Sequence, residues 1–497
     1  MATQPTQTSG TGPKATTGTI AGVIGMLGSL ATLQILNWLT DVRPLAESLA
    51  DGILLLLPVD LFGTMKEALG DQAKTWLLIG ILIGFLLLGA GLGRWIAASS
   101  LWRPRIFQAS GVLFVLAVTL LFLIDRNQLR DDFTLTVTTL VIAVVVFGLV
   151  VYALLQPVTT VDSGTRRQAI GTMVVGIGAI LLGRNVWNLW QRQANTVAAQ
   201  PEGAATSAIT PNNEFYRISK NFVDPDATSG ASWSMEIGGI VDQPGAWNLE
   251  QLQALGAKHS ISTMLCISNE VGGNLIGTAE WTGVPLSLLL DEIGAAGNFV
   301  HFTGKDDYET TVPLDRCRHE QAFLVWGMNG EPLPADHGAP VRAIIPGLYG
   351  MKSVKWITAI EAIDDDRLGY WEQRNWTNIA TVKPMSRIDF PRRNSNLNEG
   401  NVQIRGIAFG GDAGLSAVDI STDGGDSWQE ARITEQPNPD GIAWSLWQYD
   451  WDAKGGTHQI IARMIATDGT VQTDDKASPL PDGSSGWHRV DVFINRT

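Results

Sequence analysis

Cys266 stands in Met264-Leu-Cys-Ile-Ser-Asn-Glu-Val-Gly-Gly-Asn274, where an apolar, strand-like run breaks into a polar, glycine-rich loop. A thiolate exposed at a strand end is a good ligand for a thiophilic metal, and the glycines let a bulky cofactor approach the backbone. Taken alone, the same residue also reads as a buried free cysteine. Farther on, residues 328–342 and 346–356 place His337, Arg342, Lys352 and Lys355 between short strands and glycine turns. Arginine can grip phosphate bidentately and backbone N–H groups can hold the rest, so this set suits a phosphate-bearing heterocycle.

In this order the segments resemble the sulfite-oxidase-type molybdopterin fold, over about residues 211–497. The resemblance implies that Cys266 is the catalytic thiolate on molybdenum, beside the two dithiolene sulfurs of the pterin. His337 and Arg342 match the family's His/Asn-x4-Arg element, which holds the pterin and its phosphate. Ser353, Val354 and Lys355 match its Ser-Val-Lys turn, which binds cofactor largely through main chain. Asn213-Glu-Phe-Tyr-Arg217 is similar to the family's opening segment, making Asn213, Tyr216 and Arg217 cofactor neighbours, and the turn at Asp306-Asp-Tyr lines the same site. The implied cofactor is molybdenum on molybdopterin, and the implied activity is two-electron or oxo-transfer oxidoreduction of a small molecule.

One departure bears on substrate. Sulfite oxidases carry Arg just after the Cys-x-Gly-Asn motif, whereas Glu270 occupies that region here. A carboxylate would repel sulfite by about 1 kcal/mol or more in a partly dry site. Arg217 could offset it, and Arg374 is a further candidate, although a structural role suits Arg374 as well. A neutral, sulfoxide-type substrate is therefore at least as well matched as sulfite.

The elements that would position this chemistry follow from patterning. The first 190 residues are apolar and helical in character, after a Thr/Gly/Pro-rich tail over 1–17 that reads as disordered. Runs at 19–39, 76–97, 106–124 and 133–155 are each long enough to cross a hydrocarbon core of about 30 Å as helices. A Gly-rich run at 169–190 gives a fifth span, flanked by Trp187, Trp190, Arg184 and Arg192 as an interfacial belt. The run at 52–59 lies between Asp51 and Asp60 and contains Pro58, which favours a re-entrant or interfacial segment over a sixth span.

Arg-rich loops at Arg94, Arg103, Arg105 and at Arg166, Arg167 place the C-terminal part outside the cytoplasm, whether there are five spans or six. The pair at Thr165-Arg-Arg-Gln168, ahead of the Gly-rich run, looks like an internal twin-arginine export signal. Plain positive-inside charge explains an isolated pair equally well. The family's cofactor is inserted into folded protein in the cytoplasm, and a folded-protein route would carry the loaded domain across a prokaryotic cell membrane.

After a linker at 191–210 the pattern becomes α+β to about residue 383 and all-β from 384 to 497. The second part suits an immunoglobulin-like sandwich resembling the domain that mediates homodimers in sulfite oxidases. Residues 1–200 sum to a charge of +3 (13 Lys+Arg, 10 Asp+Glu) and the remainder to −17 (22 and 39), which disfavours nucleic acid as a partner. The first His is His259, so the apolar half cannot hold a haem between two histidines, and two cysteines cannot build an iron–sulfur cluster. Electrons then need a separate redox partner or a quinone, and the lipid bilayer serves as anchor. A tethered electron-transfer module without turnover is the alternative; a β-sandwich adhesion module leaves His337, Arg342 and Lys355 unexplained.

Overall fold

The computed structural model describes residues 15–40, 45–56, 73–99, 101–124, 133–156, 171–172, 174–176, 207–221, 224–225, 230–438 and 442–496. The chain divides into two compact units, 1–194 and 195–497. Described helices of the first unit are α1 (Ala15–Thr40), α2 (Leu45–Leu56), α3 (Ala73–Ala97), α4 (Trp102–Ile124) and α5 (Phe133–Leu155). Ala15–Asn37, Trp76–Ala97, Trp102–Phe122 and Thr134–Leu155 are long and apolar enough to cross a membrane. The described part of α2 holds 12 residues, about 18 Å of helix. The Arg166/Arg167 pair, most of the run at 169–190 and most of the tail and linker lie outside the described residues.

Glycine decides how α1 meets α3. A Cβ on Gly22 would lie 1.9 Å from the Gly89 carbonyl, and one on Gly93 would lie 2.1 Å from that of Gly18, so the two backbones touch. Both helices carry glycines four residues apart, the spacing that lets apolar helices approach closely where no hydrophobic drive separates protein from lipid. On its other side α1 meets α5, where Ser29 Oγ donates to the Ala143 carbonyl at 2.9 Å.

The second unit holds three sheets. The first has the order β2 (Gly245–Asn248), β1 (Ser234–Gly239), β10 (Ile357–Ile363), β5 (Phe299–Gly304), β6 (Glu309–Pro313). The second runs β3 (Lys258–Leu265), β4 (Ile276–Pro285), β7 (Phe323–Met328), β8 (Glu331–Pro332), with β9 (Arg342–Ile344) also on β7. Short helices connect them: α6 (Leu249–Ala254), α7 (Leu286–Glu292) and α8 (Leu314–Cys317). Asn248 starts α6 by accepting from Gln251 N while Gln251 reaches back to its own N–H, which satisfies donors left free in the first turn. Leu286, Leu289 and Leu290 form the buried stripe of α7 and join Met235, Val300 and Phe302 in one core.

The third sheet is a β-sandwich folded from one continuous path: β11 (Met385–Phe390), β13 (Gly400–Phe409), β16 (Ser445–Ala453), β15 (Gln429–Glu435), β14 (Ala417–Ser421), β17 (Gly456–Ile465), β18 (His488–Asn495), β12 (Ser395–Asn398). Strand β15 turns the corner, pairing with β14 through 429–431 and with β16 through 432–435, with a register shift between Ile433 and Glu435. Ile404, Ile420, Trp447, Ile460, Met464 and Val492 fill the space between the halves. The expected sandwich is present.

Gly22→Val should force α1 and α3 apart and lower the melting temperature of the detergent-solubilised chain, since overpacking a close contact costs about 1–3 kcal/mol. Gly80→Val should leave it unchanged, because a Cβ there meets nothing within 4 Å. Equal melting of the two variants would contradict the contact.

Candidate functional site

Strand β3 delivers Cys266 one residue past its end, and the following loop closes on itself. Cys266 N donates to Leu275 O (2.9 Å), Asn269 N to Cys266 O (3.0 Å), Gly273 N to Glu270 O (2.8 Å) and Leu275 N to Asn269 Oδ1 (2.8 Å). The thiol is free, 9% exposed, and 3.0 Å from Ser268 Oγ. Three phenols lie within electrostatic reach of it. Burial, reinforced by the Cys266 charge, pushes Tyr216 well above its ordinary value. Burial and the Glu372 carboxylate do the same to Tyr308, and burial pushes Tyr349 up to about 12. All three are neutral hydrogen-bond donors near neutral pH. Glu270 is exposed at the loop tip.

A second group of residues gathers around two loops. His337 is buried; its Nε2 lies 3.2 Å from the Asn212 carbonyl and so must donate to it. Burial, then Arg342, pulls the ring down to about 3, so the imidazole is neutral. Phe215 packs edge-on to it at 5.6 Å. Arg342 is 4% exposed and donates to His337 O (2.9 Å) and Ser353 O (3.0 Å), over the Trp281 ring. Ser353 Oγ accepts from Ile345 N and Val354 O from Ala343 N. Lys355 Nζ lies 3.3 Å from Asp336 O and 4.2 Å from the centre of the Trp356 ring, and burial pulls it down to about 8. Arg217 pairs with Asp224 and, at 2.7 Å, with Asp336. Buried Asp306 accepts from Asn221 Nδ2 (2.8 Å) and Tyr308 N (3.2 Å), and its carbonyl accepts from Lys220 (2.6 Å).

The structure redirects one of these residues and adds detail at two others. Lys352 is not a phosphate-side cation: its ammonium is fully buried and bound to Glu372 (2.5 Å), Asn378 (3.0 Å), Thr310 (3.1 Å) and the Thr311 carbonyl (2.9 Å). Arg342 ties the two cofactor loops through their carbonyls, so its hold on a ligand acts at least partly through those loops. Asn213 is exposed, and its neighbour Asn212 meets His337 through its carbonyl. Arg374 stacks on Tyr370 at 3.6 Å. Sequence reasoning missed Lys220, Asn221, Tyr349 and Glu372. Only the closeness of Lys220 and Asn221 to the 213–217 segment hinted at them.

The residues fit a phosphate-bearing pterin on two counts. The Tyr216 hydroxyl is buried without a hydrogen-bond partner, packed so close to Gly350 that a Cβ there would come within 2.7 Å of it, which leaves an unpaired donor against main chain. Arg217 and Arg342 both oppose the charge of Lys355, while Asp224 and Asp336 pair with Arg217, and an added anion would lower the remaining repulsion.

Residues 222–371 match the family model for the oxidoreductase molybdopterin binding domain, and 376–495 that for the Mo-co oxidoreductase dimerisation domain. The chain belongs to the sulfite-oxidase-type molybdopterin oxidoreductases. It is 29% identical over 350 residues to mitochondrial sulfite oxidase of Macaca fascicularis, covering 59% of this chain and 63% of that one. It is 28% identical over 357 residues to sulfite oxidase of Arabidopsis thaliana, covering 59% and 90%. The chain thus spans less than two thirds of the mitochondrial relatives. The crystal structure of a sulfane dehydrogenase from Paracoccus pantotrophus shares the fold, with a TM-score of 0.51 and 23% identity over 59% of this chain and 82% of that one.

Lys355 supplies a pH test. Its folded value of about 8 lies below the ordinary 10.5, so between those values the unfolded chain holds more protons and the cofactor-free fold gains stability as pH rises. Over the same window the ammonium loses the charge that would hold a phosphate. Pterin phosphate uptake by the cofactor-free chain should therefore weaken as pH rises from about 7 to about 9. Lys355→Arg should flatten that profile; a flat wild-type profile would place Lys355 off the phosphate.

Proposed function

We propose that the chain is a membrane-anchored oxidoreductase in which Cys266 ligates the molybdenum of a molybdopterin cofactor. The observation that carries this reading is a free thiol just past the end of β3, within electrostatic reach of three buried phenols. Lys355 and Arg217 hold the phosphate, with Arg342 fixing the two loops from behind. His337, held neutral, orients the pterin from the side, and the unpaired Tyr216 hydroxyl supplies a donor toward it. The bound cofactor supplies a metal that accepts or gives two electrons and an oxo group at one centre.

A cleft beside Cys266, between the sheet of β3 and the sandwich, is the proposed substrate site. Glu270, Lys383 and Ser484 are among its lining residues. Lys383 is already partnered by Asp482 at 3.5 Å and the Gly483 carbonyl at 2.9 Å. With that cation answered and Glu270 left over, the cleft favours a neutral, sulfoxide-type substrate over the sulfite dianion, whichever way electrons flow. The names of the relatives point to sulfite, and assay of both decides between them.

Cys266→Ser should abolish turnover and the Mo(V) EPR signal while leaving most of the pterin bound, because the other contacts survive. Cys317→Ser should be silent, since Cys317 is wholly buried and burial keeps its thiol protonated. The opposite outcome would refute the ligand assignment. In the wild type, a neutral sulfoxide should be turned over when a reduced viologen dye supplies the two electrons, and sulfite oxidation with an added electron acceptor should be weak.

The proposed location is a prokaryotic cell membrane, with the molybdenum unit on the extracytoplasmic side and residues 211–383 and 384–497 as its two domains. The four long apolar helices support an anchor. The sandwich, matched to a dimerisation domain, supports a homodimer. Residues 1–258 hold no His, so electrons enter or leave through a quinone or a separate redox protein rather than through a haem between two histidines of the apolar half.

Arg166 and Arg167 are proposed as an internal twin-arginine signal. Changing both to Lys keeps the positive charge, so the earlier spans should insert normally while the C-terminal unit stays inside. Protease added to spheroplasts should then cut wild type and spare the variant. Equal cutting would reduce the pair to a topogenic charge.

A further inference from the structure

We infer that Arg387 and Ser484 of the sandwich are positioning residues that fix the Cys266 loop; the functional importance of this rests on Cys266 being the metal ligand. The loop 266–275 is tied within itself by four backbone and side-chain hydrogen bonds, so it moves as one piece. A grip at any point on it is therefore transmitted to the thiol.

Two such grips come from far along the chain. Arg387 lies on β11, 4% exposed, with Nε 2.5 Å and Nη2 3.2 Å from the two carboxylate oxygens of Asp389. That fork fixes the guanidinium plane, and Nη1 then donates to the Gly273 carbonyl at 2.9 Å. Ser484 Oγ donates to the Asn269 carbonyl at 2.7 Å. Between these two points, Gly272 sits against the His488 ring at φ +79°, where a Cβ would lie 2.4 Å from Nε2. The ring is itself held, its Nδ1 accepting from Ile388 N at 2.9 Å.

The strand that delivers the cysteine is held by the same domain. β3 is an edge strand of its sheet, and an open edge would leave its backbone groups to solvent. Here Thr263 N donates to Ile442 O (3.0 Å), Trp444 N donates to Thr263 Oγ1 (2.8 Å), and Asn438 Nδ2 donates to Ile261 O (2.9 Å). The sandwich thus grips both the strand before Cys266 and the loop after it.

The test uses the full chain purified without cofactor and reads thiol alkylation by iodoacetamide, residue by residue. Cys317, buried and distant in the core, reports on global unfolding. Arg387→Ala should raise the alkylation rate of Cys266 roughly tenfold, as expected for loss of one charge-assisted hydrogen bond to a locally opening loop. Arg387→Lys should restore part of the protection, and Ser484→Ala should raise the rate by a few-fold. Cys317 should stay protected in each. Unchanged Cys266 reactivity in Ser484→Ala and Arg387→Ala would overturn the proposal. So would parallel exposure of both thiols in both variants, which would make these residues merely structural. The readout needs no metal, so a failure here is distinguishable from failure of the ligand assignment, which Cys266→Ser decides.

Discussion

Positive charge gathered around the loops 336–342 and 350–355 is the constraint on which the C-terminal unit depends. Arg217, Arg342 and Lys355 influence one another there, while Asp224 and Asp336 pair with Arg217. Burying a cation is costly unless its donors are answered, so the loops that answer them have to be held in place. Arg342 shows how that rigidity arises. It joins the carbonyls of His337 and Ser353, residues at the ends of two separate loops, and so converts one unfavourable charge into a brace between them.

The same logic extends outward. Lys352, next in the chain to the Ser353–Lys355 turn, is neutralised by Glu372 and surrounded by Thr310, Thr311 and Asn378. It anchors the far side of that turn. Tyr308 donates to the Met351 carbonyl at 2.6 Å and Asp306 gathers Lys220 and Asn221, so the segment after β5 is locked to the same turn. Removing one partner of such a buried pair strands the other, which makes these residues costly to change even though none need touch a substrate.

The apolar unit obeys a different rule. With lipid as solvent, burial of apolar surface gives little preference for helix against helix, and closeness of approach decides. Gly18, Gly22, Gly89 and Gly93 let α1 and α3 touch backbone to backbone, while Gly80, Gly84 and Gly91 on α3 meet nothing within 4 Å. One helix therefore carries glycines of two kinds, and the sequence spacing alone does not separate them.

Much of the fold was legible from local pattern. Long apolar runs read as helices because 3.6-residue geometry and a fixed hydrocarbon thickness leave little choice. The Asp423-Gly-Gly425 turn between β14 and β15 and the Leu286, Leu289, Leu290 stripe of α7 are patterns of this local kind, because side-chain period is a property of neighbouring residues. The thiol at a strand end and the ordered motifs after it were also visible, and with them the family. Tertiary structure alone decided which charges face the site. Lys352 and Lys355 are three residues apart and chemically alike, yet Glu372, seventeen residues beyond Lys355, claims only the first. Arg387 reaches Gly273 across 114 residues, and Asn212 rather than Asn213 meets His337 across 125. A long, flexible charged side chain carries no periodic signal of its direction. Its partner is fixed by the packing of distant strands, and that is absent from any local stretch of sequence.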